Sequence, residues 1–225
     1  PPTFDRGLPT ANLNNTAGAD RSNVAWAVDT TYITGDTFKL GNTGEFWRVT
    51  KVRTWSITRN PDVDTYFLGD TFKSVSLYGG LQGDSLGVLS TGDLTTGSST
   101  NSNPNITHTK VKYTGDLNYQ AQDGTYRQIW QNDFSNLNWF VPGGQDVYFA
   151  VDGEQQDASY LWFNHASNAA LSGGTQDGAD DEYYAWDKTD LATPIVCDSQ
   201  GAAAGVCTGG WDKSSDINVQ VWAEA

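Results

Sequence analysis

Along the chain, apolar side chains fall in short runs that alternate with polar ones, and no stretch sustains a period near 3.6 residues. In INVQVWA, Ile217, Val219 and Val221 alternate with Asn218, Gln220 and Trp222, and Val147, Phe149 and Val151 do the same in DVYFAVD. Successive side chains of a strand point to opposite faces, so each run presents one apolar face to a core and one wetter face outward. Runs rich in Val, Ile, Thr and aromatics predict strands over 23–28, 37–40, 45–58, 71–79, 106–114, 124–132, 137–141, 146–152, 159–166, 182–186 and 217–223. Glycine-bearing stretches such as YGGLQGDSLG and VPGGQD supply the turns between them. The 45–58 run changes phase: Trp47 and Val49 share one parity, Val52 takes the other, and Trp55 with Ile57 return to the first. A bulge or bend near Thr50 to Arg53 would reconcile them. So many short strands, with no long linker between them, predict an all-β chain: a jelly-roll-like antiparallel β-sandwich over residues 21–225, preceded by an extended N-terminal segment over 1–20. The stretch TTGSSTNSNPN, 95–105, reads as a mobile loop.

Composition narrows the setting. In 225 residues, 37% hydrophobic and 12% aromatic, there is enough apolar material for a sizeable core. A balance of 13 basic against 27 acidic groups, net -14, repels phosphate backbones and argues against a nucleic-acid partner. No apolar run approaches the roughly 18 residues a membrane helix needs, so no membrane insertion is expected. Cys197 and Cys207 bracket CDSQGAAAGVC, whose Gly and Ala residues close easily into a loop. A disulfide there would contribute on the order of 2–3 kcal/mol. His108 and His165 lie far from the cysteines in sequence, which argues against zinc. A disulfide implies an oxidising compartment, so the expected location is extracellular or the cell surface after removal of a signal peptide.

Candidate chemistry is sparse. In DGADDEYYAWDKTD, Asp177, Asp180 and Asp181 are candidate calcium ligands, although the alternating order of an EF-hand is missing. A glycosidase needs two facing carboxyls, and Glu45, Glu154 and Glu182 stand on or beside aromatic strands without forming a motif. No nucleophile elbow and no phosphate-cradling loop occurs. The expectation is therefore a non-enzyme, with a secreted glycosidase as the third reading. Nine Trp, ten Tyr and nine Phe are more than one sandwich core readily hides, so some rings should reach the surface. Trp162 and Trp186 are the candidates for stacking on sugar, which makes a carbohydrate-binding module or lectin with a polysaccharide partner the second reading. The sequons at Asn14 and Asn105 are candidate sites for covalent glycans.

The segment FDRGLPTANLNN, followed by RSNVAWA and later VSLYGG, resembles secreted β-sandwich proteins of bacterial surfaces. The overall plan also resembles subunits of extracellular filaments assembled by donor-strand exchange. That resemblance implies a homopolymer whose sheet edge is completed by the N-terminal segment of the next subunit, often with attached glycans, and it implies no cofactor. The residues fit the idea: Pro1, Pro2 and Pro9 keep the segment extended, and Phe4 and Leu8, four apart, share one face as anchors. Packing of the segment on its own sheet is the alternative. The leading expectation is a structural filament subunit.

Overall fold

The computed structural model describes residues 1–8, 24–28, 31–58, 66–111, 118–120, 126–167, 177–180, 182–197 and 216–225. In chain order the strands are β1 (Phe4–Asp5), β2 (Val24–Val28), β3 (Tyr32–Lys39), β4 (Phe46–Thr58), β5 (Phe72–Leu81), β6 (Gly87–Asp93), β7 (Ile106–Lys110) and β8 (Asn118–Gln120). They continue with β9 (Tyr126–Phe134), β10 (Trp139–Pro142), β11 (Asp146–Gln155), β12 (Trp162–Ser167), β13 (Tyr183–Asp187), β14 (Asp190–Cys197), β15 (Asp216–Ile217) and β16 (Val219–Glu224). No α-helix occurs among the described residues. The all-β expectation holds.

Two antiparallel sheets form a sandwich. The smaller, of six strands, runs β14-β13-β3-β11-β5-β6. The larger, of ten strands, runs β1-β16-β4-β12-β15, with β9 and β10 on the opposite flank of β4, β7 and β8 on β9, and β2 on β12. Its long strand β4 serves different neighbours along its length, and the sheet curls around it. Inward residues of both sheets make the core: Val52, Val219 and Val221 from the larger, Val75, Leu77 and Phe149 from the smaller, all buried.

The phase change in β4 is a bulge. Trp222 of β16 stands opposite Lys51 and Ala223 opposite Val49, so Thr50 is the extra residue. Its Oγ1 donates to the Trp222 carbonyl at 3.2 Å. Val49 and Val52, of opposite parity, are thereby both fully buried.

The third strand begins five residues earlier than the predicted 37–40 run, because Gly35 and Asp36 read as turn residues. Gly35 is there for space. A Cβ at that position would lie 1.9 Å from the Phe149 carbonyl oxygen on β11.

The 95–105 stretch is not the mobile loop its composition suggests. Asn101 Oδ1 accepts from Asn103 N, and Asn103 Oδ1 from Asn105 N, both at 2.9 Å. Each Asn side chain thus ties the backbone two residues on. The stretch also covers the outer edge of β6: Asn103 Nδ2 donates to the Thr91 carbonyl at 3.1 Å, and Asp93 N donates to Ser102 Oγ at 2.8 Å.

Candidate functional site

The N-terminal segment forms a densely bonded polar site. β1 pairs with β16, Phe4 opposite Val221 and Asp5 opposite Gln220. Backbone bonds extend the pairing on both sides, Thr3 N to the Val221 carbonyl at 2.7 Å and Arg6 N to the Val219 carbonyl at 2.9 Å. Phe4 is buried, with its ring 6.1 Å from that of Phe38 on β3. Phe4 and Leu8 do not act as a pair, however. Gly7 takes φ 78°, which ends the extended run before Leu8, and Leu8 is 56% exposed.

The second anchor is Arg6, which the sequence reading passed over. Its side chain is 1% exposed and faces Asp36, also 1% exposed, with Nη1 3.0 Å from Asp36 Oδ2. Nε donates to the Asp177 carbonyl at 3.1 Å, and Nη2 to the carbonyls of Thr37 at 2.7 Å and Gly178 at 3.3 Å. The guanidinium also lies 5.1 Å from the Phe4 ring centroid. Around it, Asp5 N donates to Asp177 Oδ2 at 2.9 Å, and Asn218 Nδ2 to the carbonyls of Arg6 at 2.9 Å and Gly7 at 3.1 Å. A groove of about 510 Å³ runs alongside, lined among others by Phe4, Arg6, Phe38 and Asp177. The signal was present in the sequence as a lone cation in a short segment of a strongly acidic chain, with Gly-Asp set inside a strand.

Of the three predicted calcium ligands, Asp180 has acidic company: its carboxylate lies within 4.8 Å of those of Asp36 and Asp216. Asp177 instead spends its carboxylate on Asp5 N, and Asp181 lies outside the described residues. Asp36 already accepts from Thr37 N at 2.7 Å and Ile217 N at 2.9 Å and faces Arg6. Ca²⁺ takes about six to eight oxygens, and this set is committed to backbone and guanidinium donors. Burial pushes the Asp36 carboxyl well up, against the pull of Arg6. Burial, then the bond to Asp216, pushes Asp180 up to about 7. The cluster is suited to hold Arg6, and through it the N-terminal segment.

The predicted sugar-stacking residues are not on the surface. Trp162 is 0% and Trp186 1% exposed. β12 and β13 are interior strands of their sheets, and both indoles are covered by other rings: Trp162 packs edge-on to Phe72 at 5.1 Å, and Trp186 edge-on to Tyr148 at 5.4 Å. The rings that do reach solvent include Phe46 and Phe140, 72% and 63% exposed, on paired strands β4 and β10.

The remaining candidates are scattered. Glu45 Oε2 accepts from Asn42 N at 2.8 Å, Glu154 Oε2 from Ser74 Oγ at 3.1 Å, and Glu182 from the Tyr184 hydroxyl. Each carboxylate is thus engaged locally. Asn105 is half-buried in the turn before β7, and Thr107 of its sequon is exposed. Asn14 lies outside the described residues, as does Cys207; Cys197 is buried at the end of β14. No family model matches the chain, and no curated protein or solved structure matches it.

Proposed function

We propose that the chain is a structural subunit of an extracellular or cell-surface filament, in which the first residues of one copy occupy the β16 edge of the next. The observation that carries this reading is the Arg6 socket. A segment of a few residues is held at a sheet edge by backbone pairing, a buried ring and a buried ion pair, a set of contacts that a second copy could supply equally well. An edge strand is a template for pairing with any matching segment, and main-chain bonds give affinity while side-chain pockets give register. Within the described chain the segment fills its own socket; in the filament the same contacts form between copies. The Cys197–Cys207 disulfide belongs to the same proposal, as a local brace suited to an oxidising exterior.

The reading is tested by comparing the full chain with a chain lacking residues 1–8 and with Arg6→Ala, each imaged by electron microscopy and sized by sedimentation. The full chain should form filaments and the other two should not, while a synthetic peptide of residues 1–13 should bind the shortened chain and lose that binding when its Arg is replaced by Ala. Equal assembly with and without residues 1–8 would refute the swap, and a full chain that stays monomeric at every concentration would refute the filament.

A further inference from the structure

At the other edge of the sandwich lies a groove of about 420 Å³ between β6 and the turns at 103–105 and 135–138. Its lining is Val88, Leu89, Ser90, Thr91 and Leu137 with five further residues, four of them asparagines and one a serine, and none is ionisable. On a chain with 27 acidic groups, a groove without a single carboxylate is a chemical statement. An ionic ligand would find no counter-charge there.

The polar groups are arranged, and several are free. Asn136 holds φ 53°, the left-handed region, and from it donates Nδ2 to Asn105 Oδ1 at 2.7 Å. That leaves Asn136 Oδ1 and Asn105 Nδ2 without a partner among the described residues, together with the whole Asn138 amide and Ser135 Oγ. The free set mixes donors and acceptors, as a ligand rich in hydroxyls requires. Beside it, Val88 is 54% exposed and offers an apolar surface of the kind that covers the C–H face of a sugar ring. A peptide strand is a poorer fit, because the outer edge of β6 is already occupied by Asn103 on the Thr91 carbonyl and Ser102 on Asp93 N.

We propose that this groove binds neutral carbohydrate. The sugar has two sources, a free or cell-surface glycan or a chain attached to Asn105, itself a lining residue of the groove. The site is separate from the Arg6 socket and does not depend on assembly. The experiment has two arms, both read from the side-chain amide signals of Asn136 and Asn138 in nitrogen-15 NMR spectra. In the first, unglycosylated chain is titrated with cellohexaose, maltohexaose, mannohexaose and chitohexaose, and with an oligogalacturonate as the anionic comparison. In the second, chain secreted from an N-glycosylating host is compared with its Thr107→Ala variant, which lacks the sequon and keeps the Asn105 side chain that Asn136 bonds. Saturable shifts with a neutral hexamer, at least tenfold weaker in Ser135→Ala plus Asn138→Ala, establish a free-glycan site; shifts confined to the second arm assign the groove to the Asn105 chain. The proposal is overturned if neither arm moves these signals, if the anionic oligomer binds as well as the neutral ones, or if the double variant binds undiminished.

Discussion

His165, on β12, places Nδ1 2.8 Å from Asn218 Oδ1. Because Asn218 Nδ2 already donates to the Arg6 and Gly7 carbonyls, Oδ1 is left to accept, so Nδ1 carries the hydrogen. Nε2 is buried without a partner, and burial pushes the imidazole down to about 4. An unfolded histidine takes up its proton near 6.5, so the stability linked to His165 is complete above about pH 6.5 and is lost as pH falls toward 4, a loss on the order of 3 kcal/mol. Asp180 has the opposite sign. Raised to about 7, it contributes stability below the ordinary carboxylate range that fades as pH rises through 7, and its exposure makes that contribution the smaller one. Denaturant midpoints measured from pH 7 to 4 should fall for the native chain and fall less steeply for His165→Gln, in which His108, also lowered by burial, keeps a share of the slope; equal slopes would exclude His165 as a cause. The same neighbourhood shows what a sequence conceals at this scale. Phe4 and Leu8 looked equivalent because strand parity was assumed to persist, and a positive φ at Gly7 broke it. Arg6 drew no expectation because its partner Asp36 lies far along the chain.

Strands buried on one face announced themselves by alternation, and even the β4 bulge was legible because Val49 and Val52 could not otherwise share a core. Edge strands did not. β6 is rich in Gly, Ser and Thr, and β14 carries Pro194 on a mostly exposed run, so neither presents a period to read. Edges are where a sheet is vulnerable to unwanted pairing, and that hazard is managed here by composition that weakens the strand signal. On β6 the cover is the asparagine-linked stretch, with Asn103 joining the Thr91 carbonyl to Asn105 N. Replacing Asn103 by Ala removes two bonds at a partly exposed site, a cost of about 1–2 kcal/mol. Hydrogen exchange should locate the change, with the Asn105 amide exchanging many-fold faster and the β5 and β11 amides little altered. If the Asn105 amide keeps its protection, the side-chain tie is not what holds the stretch.

For the molecule as a whole, the decisive contact joins its two ends, β1 with β16, across nearly the entire sequence. Such a contact forms late, after the rest of the sandwich has built the socket, because its loop closure is costly until the other pairings exist. The same residues would be buried whether the socket is filled by the chain's own segment or by a neighbour's, so the choice turns on concentration rather than contact energy. A tethered segment competes at an effective concentration on the order of millimolar. Refolding at about 1 µM should therefore give closed monomers, and refolding near 1 mM should give swapped species, on this mass-action argument. The proposed Cys197–Cys207 bridge would close a short local loop worth about 2–3 kcal/mol, so reductant should lower the unfolding midpoint without changing which species forms. Sedimentation of chains refolded at both concentrations, with and without reductant and with the 1–8 deletion alongside, separates these effects. A size distribution indifferent to concentration would rule out exchange of the segment, and dispersal by reductant alone would transfer the role of holding copies together from the Arg6 socket to the cysteines.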